Sequence, residues 1–129
     1  MILIFRKKRC PKSEAFDFPD HVISLDSTSF EDFICKYPLS IVDFYAPWCK
    51  PCRDIVPRLR RLSKLYRGRV AFGRIDIEGN KEIAKKYKIT AVPYIAFFSY
   101  GKLIDEMRGL ATIGEMKKKI EKLIGNMER

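Results

Sequence analysis

The segment Ile41-Val42-Asp43-Phe44-Tyr45-Ala46-Pro47-Trp48-Cys49-Lys50-Pro51-Cys52 confines this chain to a narrow set of folds. It reads as an apolar strand, a turn at Pro47, and a helix that opens on two thiols. Cysteines at this spacing at a helix start lie one turn apart and can close a small disulfide ring. A helix N-terminus stabilises negative charge, so Cys49 is favoured as a thiolate and nucleophile. Cys52, a turn deeper, would resolve the mixed disulfide that attack by Cys49 creates. A strand feeding a helix in this way brings Cys49 to the carboxyl end of a sheet, where open α/β folds place their chemistry. Lys50, between the cysteines, should favour the Cys49 thiolate, modestly because water screens an exposed helix start.

Asp43 interrupts an otherwise apolar strand. A buried carboxylate without a partner is costly, so its pKa should rise, and such a group can take and return the proton of Cys52. The competing reading is an ordinary Asp at a strand edge, paired with a lysine or arginine. For the cysteine pair the competitor is a structural zinc half-site. Zinc needs about four ligands, and Cys10, Cys35 and His21 offer no second pair with metal spacing. No metal is therefore expected. Cys35 reads as a small buried residue of an amphipathic helix, and Cys10 as a stray thiol in a basic tail, open to a regulatory or metal-binding role.

Periodicity supplies the frame. His21 to Leu25 reads as a short strand. Thr28 and Glu31 have capping-box spacing before a helix whose apolar face is Phe30, Phe33, Ile34 and Tyr37, ended by Pro38. The helix from Cys49 to Tyr66 carries the stripe Ile55, Leu59, Leu62 and Tyr66, and Pro57 should kink it. Val70 to Ile77 is a strand, and Lys81 to Tyr87 a short helix capped by Asn80. Tyr94 to Phe98 and Leu103 to Arg108 form a hairpin around Gly101. Thr112 and Glu115 open a last helix with Ile113, Met116, Ile120, Leu123, Ile124 and Met127 on its inner stripe. The β-α-β crossovers make the central strands parallel and the hairpin adds antiparallel ones. The expected class is α/β, a central mixed sheet with helices on both faces.

At 129 residues and 47% hydrophobic content, one core and one domain are expected. Residues 1–20 read as a mobile basic extension and 21–129 as the domain. No apolar run approaches the roughly 18 residues of a membrane span, and the order of apolar and basic residues at the N-terminus is not that of a secretory signal, so the cytoplasm is the expected location. The net charge of +10 comes from lysines and arginines interleaved with glutamates. This reads as solvated helix faces, and no nucleic-acid role is expected. Gln is absent, Asn occurs only at Asn80 and Asn126, and 33% of residues are charged, a bias found in thermophilic proteins.

From Ile41 to Cys52 the chain resembles the active-site segment of the thioredoxin family. Asp43 matches that family's buried acid, Pro57 the proline that kinks its active-site helix, and Thr90-Ala91-Val92-Pro93-Tyr94 the loop that carries its cis-proline. Gly109 matches the glycine after its last strand, and Arg74 aligns with a lysine that approaches the acid. The resemblance covers about Val22 to Ile124. Tyr45 replaces the usual Trp, Lys50 replaces the usual Gly, and the first twenty residues have no counterpart. The resemblance implies the thioredoxin fold and a protein-disulfide reductase without organic cofactor, catalytic at Cys49, Cys52 and Asp43. Trp48, Pro51, Val92, Pro93 and Gly109, with Ala91, would contact substrate, and Lys50 and Arg74 would tune the site. It further implies a thioredoxin reductase or equivalent electron donor, disulfide-containing target proteins, and a monomer. The alternatives are a disulfide oxidase or isomerase on the same fold, or a docking module that uses it.

Overall fold

The computed structural model describes Cys10 and residues 17–128. Ten elements follow one another: β1 (Ile23–Leu25), α1 (Phe30–Lys36), β2 (Ser40–Tyr45), α2 (Lys50–Asp54), α3 (Val56–Leu65), β3 (Ala71–Asp76), α4 (Lys81–Lys86), β4 (Tyr94–Ser99), β5 (Lys102–Arg108) and α5 (Ile113–Met127). The sheet has five strands in the order β1-β3-β2-β4-β5. The pairs β1–β3 and β2–β3 are parallel, whereas β2–β4 and β4–β5 are antiparallel. The expected mixed sheet is therefore present, with β2 at its centre.

Alternation along the strands divides the core into two layers. Ile41, Phe72, Ile95 and Phe97 face Ile55, Leu59, Leu62 and Tyr66 of the broken helix and Met116, Ile120 and Leu123 of α5. Val42, Phe44, Ile75, Ala96 and Phe98 face Phe30, Phe33 and Ile34 of α1 and Ile83 of α4. Three of the five strands, β2, β3 and β4, are buried along most of their length because both faces are covered by helices.

Several local expectations change in detail. The kink expected at Pro57 is a break at Ile55, so that α2 and α3 are separate helices. Pro57 lacks the N–H that would bond the Arg53 carbonyl, and that carbonyl accepts from Ile55 instead. The box between Thr28 and Glu31 does not form. Ser29 is the N-cap of α1, and the Asp26 carboxylate accepts the N–H groups of Thr28 and Ser29. Asn80 occupies the N-cap of α4 without capping it, because its side chain accepts from Ser27 and donates to the Asp76 carbonyl. The hairpin turns on Tyr100 and Gly101, both with positive φ (45° and 85°), as a two-residue hairpin turn requires.

The second capping box is complete. The Thr112 hydroxyl accepts from the Glu115 N–H at 3.0 Å, and the Glu115 carboxylate accepts from the Thr112 N–H at 3.0 Å. Thr112→Ala removes one half of this exchange while leaving the buried stripe of α5 intact. Its expected cost is about 1 kcal/mol of unfolding free energy, read from urea titration.

Candidate active site at the head of the central strand

The site is built on the carboxyl end of β2 and the turn that follows. The Cys49 N–H donates to the Ala46 carbonyl at 3.1 Å, and Arg53 Nη1 donates to the Pro47 carbonyl at 3.1 Å. The turn is thus held at both ends before α2 begins. Cys49 is the N-cap of α2 and Pro51 lies in its first turn, where a missing N–H costs nothing. Cys49 and Cys52 are joined as a disulfide with their Cα atoms 5.2 Å apart. The backbone N–H of Cys52 points at Cys49 Sγ, 3.2 Å away. Once the disulfide is opened, this donor and the helix start favour negative charge on Cys49. The difference in burial is slight, 4% exposed at Cys49 and 1% at Cys52, so cap position distinguishes the two sulfurs better than access to solvent does.

The surroundings are apolar and partly open. Ala46, Cys49 and Cys52 pack against Tyr45, Ile77 and Val92. The Val92–Pro93 peptide is cis. The Pro93 carbonyl accepts the Gly109 N–H at 2.9 Å, which draws the residue after β5 against the loop before β4. Trp48 is 67% exposed and Leu110 41%, unusual for side chains of this size, and Ala91 is exposed as well. Trp48 Nε1 donates to the Glu78 carboxylate, which fixes the indole while leaving it uncovered. Lys50 is exposed and turns along the helix to Asp54, with Nζ 2.9 Å from Oδ2.

Asp43 lies on the central strand β2, two residues before its carboxyl end, and is fully buried. It is not an unpartnered acid, nor is it at a strand edge. Arg74, its register partner on β3, donates from Nε to Asp43 Oδ2 at 2.7 Å. Arg74 Nη2 donates to the Cys52 carbonyl at 3.2 Å, and its guanidinium lies 3.9 Å from the centre of the Tyr45 ring. One side chain therefore joins the buried acid, the second cysteine and the aromatic ring at the strand end. Asp43 Oδ1 is buried and has no hydrogen-bond partner among the described residues. Burial raises the Asp43 pKa to about 6, although the Arg74 hydrogen bond and charge pull the other way. Hydrogen bonds through Arg74 thus link Asp43 to Cys52, Val92 packs against the two cysteines, and Pro93 is bonded to Gly109.

Cys10 and Cys35 are different. Neither is a solitary thiol: they are bonded to each other, with Cα atoms 4.8 Å apart. The sequence carried little sign of this pairing beyond an even cysteine count, because Cys10 and Cys35 stand 25 positions apart with no motif around either. Of residues 1–20, only Cys10 and 17–20 are among those described. Phe18 is half-buried against the layer beneath α1. No cluster of three metal-ligating side chains occurs among the described residues, and no helix there is long and apolar enough to cross a membrane.

Asp43 generates a pH-dependent expectation. Its folded pKa, about 6, lies above the ordinary value of 3.8. The folded state therefore holds this proton more tightly than the unfolded state. The penalty is absent below about pH 4 and grows as pH rises to about 6. Asp43→Asn should then raise unfolding free energy on the order of 2 kcal/mol at pH 8, with the gain shrinking towards zero near pH 4. Urea titrations of both proteins across that range check it. A uniform loss at every pH would mean that the bond to Arg74 outweighs the desolvation of the acid.

Comparison with known proteins places this geometry. The sequence model of the family described as Thioredoxin matches residues 21–122. The mitochondrial thioredoxin of Mus musculus is 30% identical over 101 residues, 78% of this chain and 61% of that protein. The chloroplastic thioredoxin Y1 of Arabidopsis thaliana is 36% identical over 94 residues, 72% of this chain and 55% of that protein. The chain thus matches a little over half the length of these curated relatives. Among solved structures, a mutant thioredoxin from Halobacterium salinarum superposes with a TM-score of 0.77 at 27% identity, covering 84% of this chain and 96% of that one.

Proposed function

The chain belongs to the thioredoxin family, and we propose that it is a protein-disulfide reductase working by dithiol–disulfide exchange through Cys49 and Cys52. The observation that carries this reading is the Cys52 N–H aimed at Cys49 Sγ in the first turn of a helix, beside a buried acid. In the reduced protein the Cys49 thiolate attacks one sulfur of a target disulfide, and the other target sulfur leaves as a thiol. Cys52 then attacks Cys49 Sγ, releasing the second target thiol and closing the ring. Two electrons pass to the target, and the two cysteines are left oxidised.

In this reading Asp43 takes the proton of Cys52 during resolution. A pKa of about 6 suits a base that must give the proton back near neutrality. Arg74 positions that acid and, through the Cys52 carbonyl, the helix turn that bears the resolving sulfur. Trp48, Pro51, Val92, Pro93 and Gly109 form the contact surface for the target, with Ala91 at its rim. Pro93 offers no N–H, and its carbonyl is taken by Gly109. A target strand would therefore pair with the main chain of Val92. Lys50 favours the Cys49 thiolate only weakly, because Asp54 shares its charge.

No organic cofactor enters this scheme. Electrons come from a thioredoxin reductase or an equivalent donor, the substrates are disulfide-containing proteins, and the working unit is a monomer. The domain comprises residues 21–129, preceded by a basic extension. Regeneration of a dithiol calls for a reducing compartment, for which we propose the cytoplasm. The relatives named above are mitochondrial and chloroplastic proteins.

The test is reduction of insulin disulfides with dithiothreitol as electron source. Cys49→Ser should abolish turnover while preserving the unfolding transition. Cys52→Ser should accumulate a covalent adduct with the disulfide substrate, visible as an added mass that dithiothreitol removes. Full activity in Cys49→Ser, or no adduct in Cys52→Ser, would overturn the assignment of the attacking or the resolving sulfur.

A further inference from the structure

The Cys10–Cys35 disulfide lies at the end of the sheet remote from Trp48. Cys35 is buried near the carboxyl end of α1, and Cys10 is half-buried. Because β4 runs antiparallel to β2, the Tyr100–Gly101 turn lies beside the start of β2, away from Cys49. That turn is fastened to α1 and the residue after it. The Gly101 N–H donates to the Ile34 carbonyl at 2.8 Å, and the Tyr100 N–H to the Tyr37 carbonyl at 3.0 Å.

Gly101 is shaped to the disulfide. A Cβ at this position would stand 2.5 Å from Cys10 Sγ and 3.0 Å from Cys35 Sγ. Two further contacts bring the chain ahead of β1 to the same place. The Phe18 and Tyr37 rings lie 5.1 Å apart, and the Tyr37 hydroxyl donates to the Asp17 carbonyl at 3.4 Å. A covalent bond, a ring contact and a hydrogen bond thus converge on the end of α1 and the segment leaving it.

We propose that Cys10–Cys35 is a second, non-exchanging disulfide that fastens the chain ahead of β1 to α1 and the β4–β5 turn, and stays closed while Cys49–Cys52 cycles. It forms by exchange with a small or protein disulfide, and burial of Cys35 and the close fit of both sulfurs to Gly101 shield it from the thiols of a reducing compartment. The Cys10 thiolate attacks one sulfur of that disulfide and expels a thiol. The Cys35 thiolate then attacks Cys10 Sγ and expels the second thiol. Two protein thiols are oxidised and the incoming disulfide is reduced to two thiols. Once closed, the bond is out of reach of its own active site, because Ser40 to Tyr45 alone spans roughly 16 Å and exchange requires sulfur–sulfur contact. The bond closes a loop across 25 positions. That limits the freedom of the unfolded chain far more than the three-position ring at Cys49 does.

The test uses the full chain, oxidised with glutathione disulfide, alkylated, digested and examined by mass spectrometry. Linked peptides Cys10–Cys35 and Cys49–Cys52 are expected. Under stepwise dithiothreitol, Cys49 and Cys52 should become alkylated at a concentration about tenfold below that needed for Cys10 and Cys35. Cys10→Ser should lower Tm of the oxidised protein on the order of 10 °C, leave Tm of the fully reduced protein unchanged, and keep insulin reduction within about twofold. Alkylated Cys10 and Cys35 in the oxidised protein would overturn the proposal, as would simultaneous opening of both pairs. So would an unchanged Tm in Cys10→Ser, or a large loss of its turnover.

Discussion

A carboxylate in the middle strand of a sheet covered on both faces must be met by something, and Arg74 meets it. Asp43 and Arg74 occupy the same register on adjacent strands, β2 and β3, so the bond between them spans the sheet where it is most deeply covered. Its other contacts follow from that position. The guanidinium reaches the Cys52 carbonyl and lies over the Tyr45 ring. Removing Arg74 would strand a buried acid and loosen the turn that carries the second sulfur. The pair does not cancel the cost of burial, since the acid still holds its proton to a higher pH than in water. Stability lost at this position accompanies a buried acid that, in the proposed function, takes the proton of Cys52.

The interruption between α2 and α3 serves the same arrangement. In a continuous helix the Cys52 carbonyl would belong to the backbone ladder. Breaking the helix at Ile55 frees the first turn to take its own direction, while Ile55, Leu59 and Leu62 keep both pieces seated on the sheet. The thiol-bearing turn is therefore held from below by Arg74 and from outside by Arg53, rather than by a long helix alone.

Most of this was legible in the sequence because it rests on local rules. Strand alternation, the apolar stripes, the hairpin at Gly101 and the box at Thr112 depend on residues within a few positions of one another. The cysteine pair at Cys49 and Cys52 is local in the same sense. The misses share a different cause. Ser29 is the N-cap in place of Thr28, whose N–H goes to Asp26, and Asn80 turned its side chain to Ser27 in the loop before α1, because several polar side chains competed for the same backbone groups. Arg74 was legible as the partner of Asp43 only through the family resemblance, because their pairing depends on the register of two strands. The bond between Cys10 and Cys35 depended on where the chain ahead of β1 is laid down, which no periodicity records.

The two margins of the sheet differ from its middle. β1 has only three residues, and β5 shifts register opposite Phe97 and Phe98 while carrying Lys102, Asp105, Glu106 and Arg108 along its length. Short, charged or irregular edges discourage a foreign strand from adding to the ladder. The target strand of the proposed function would find little to pair with along the flanks, which leaves it the main chain of Val92, packed against Cys49 and Cys52.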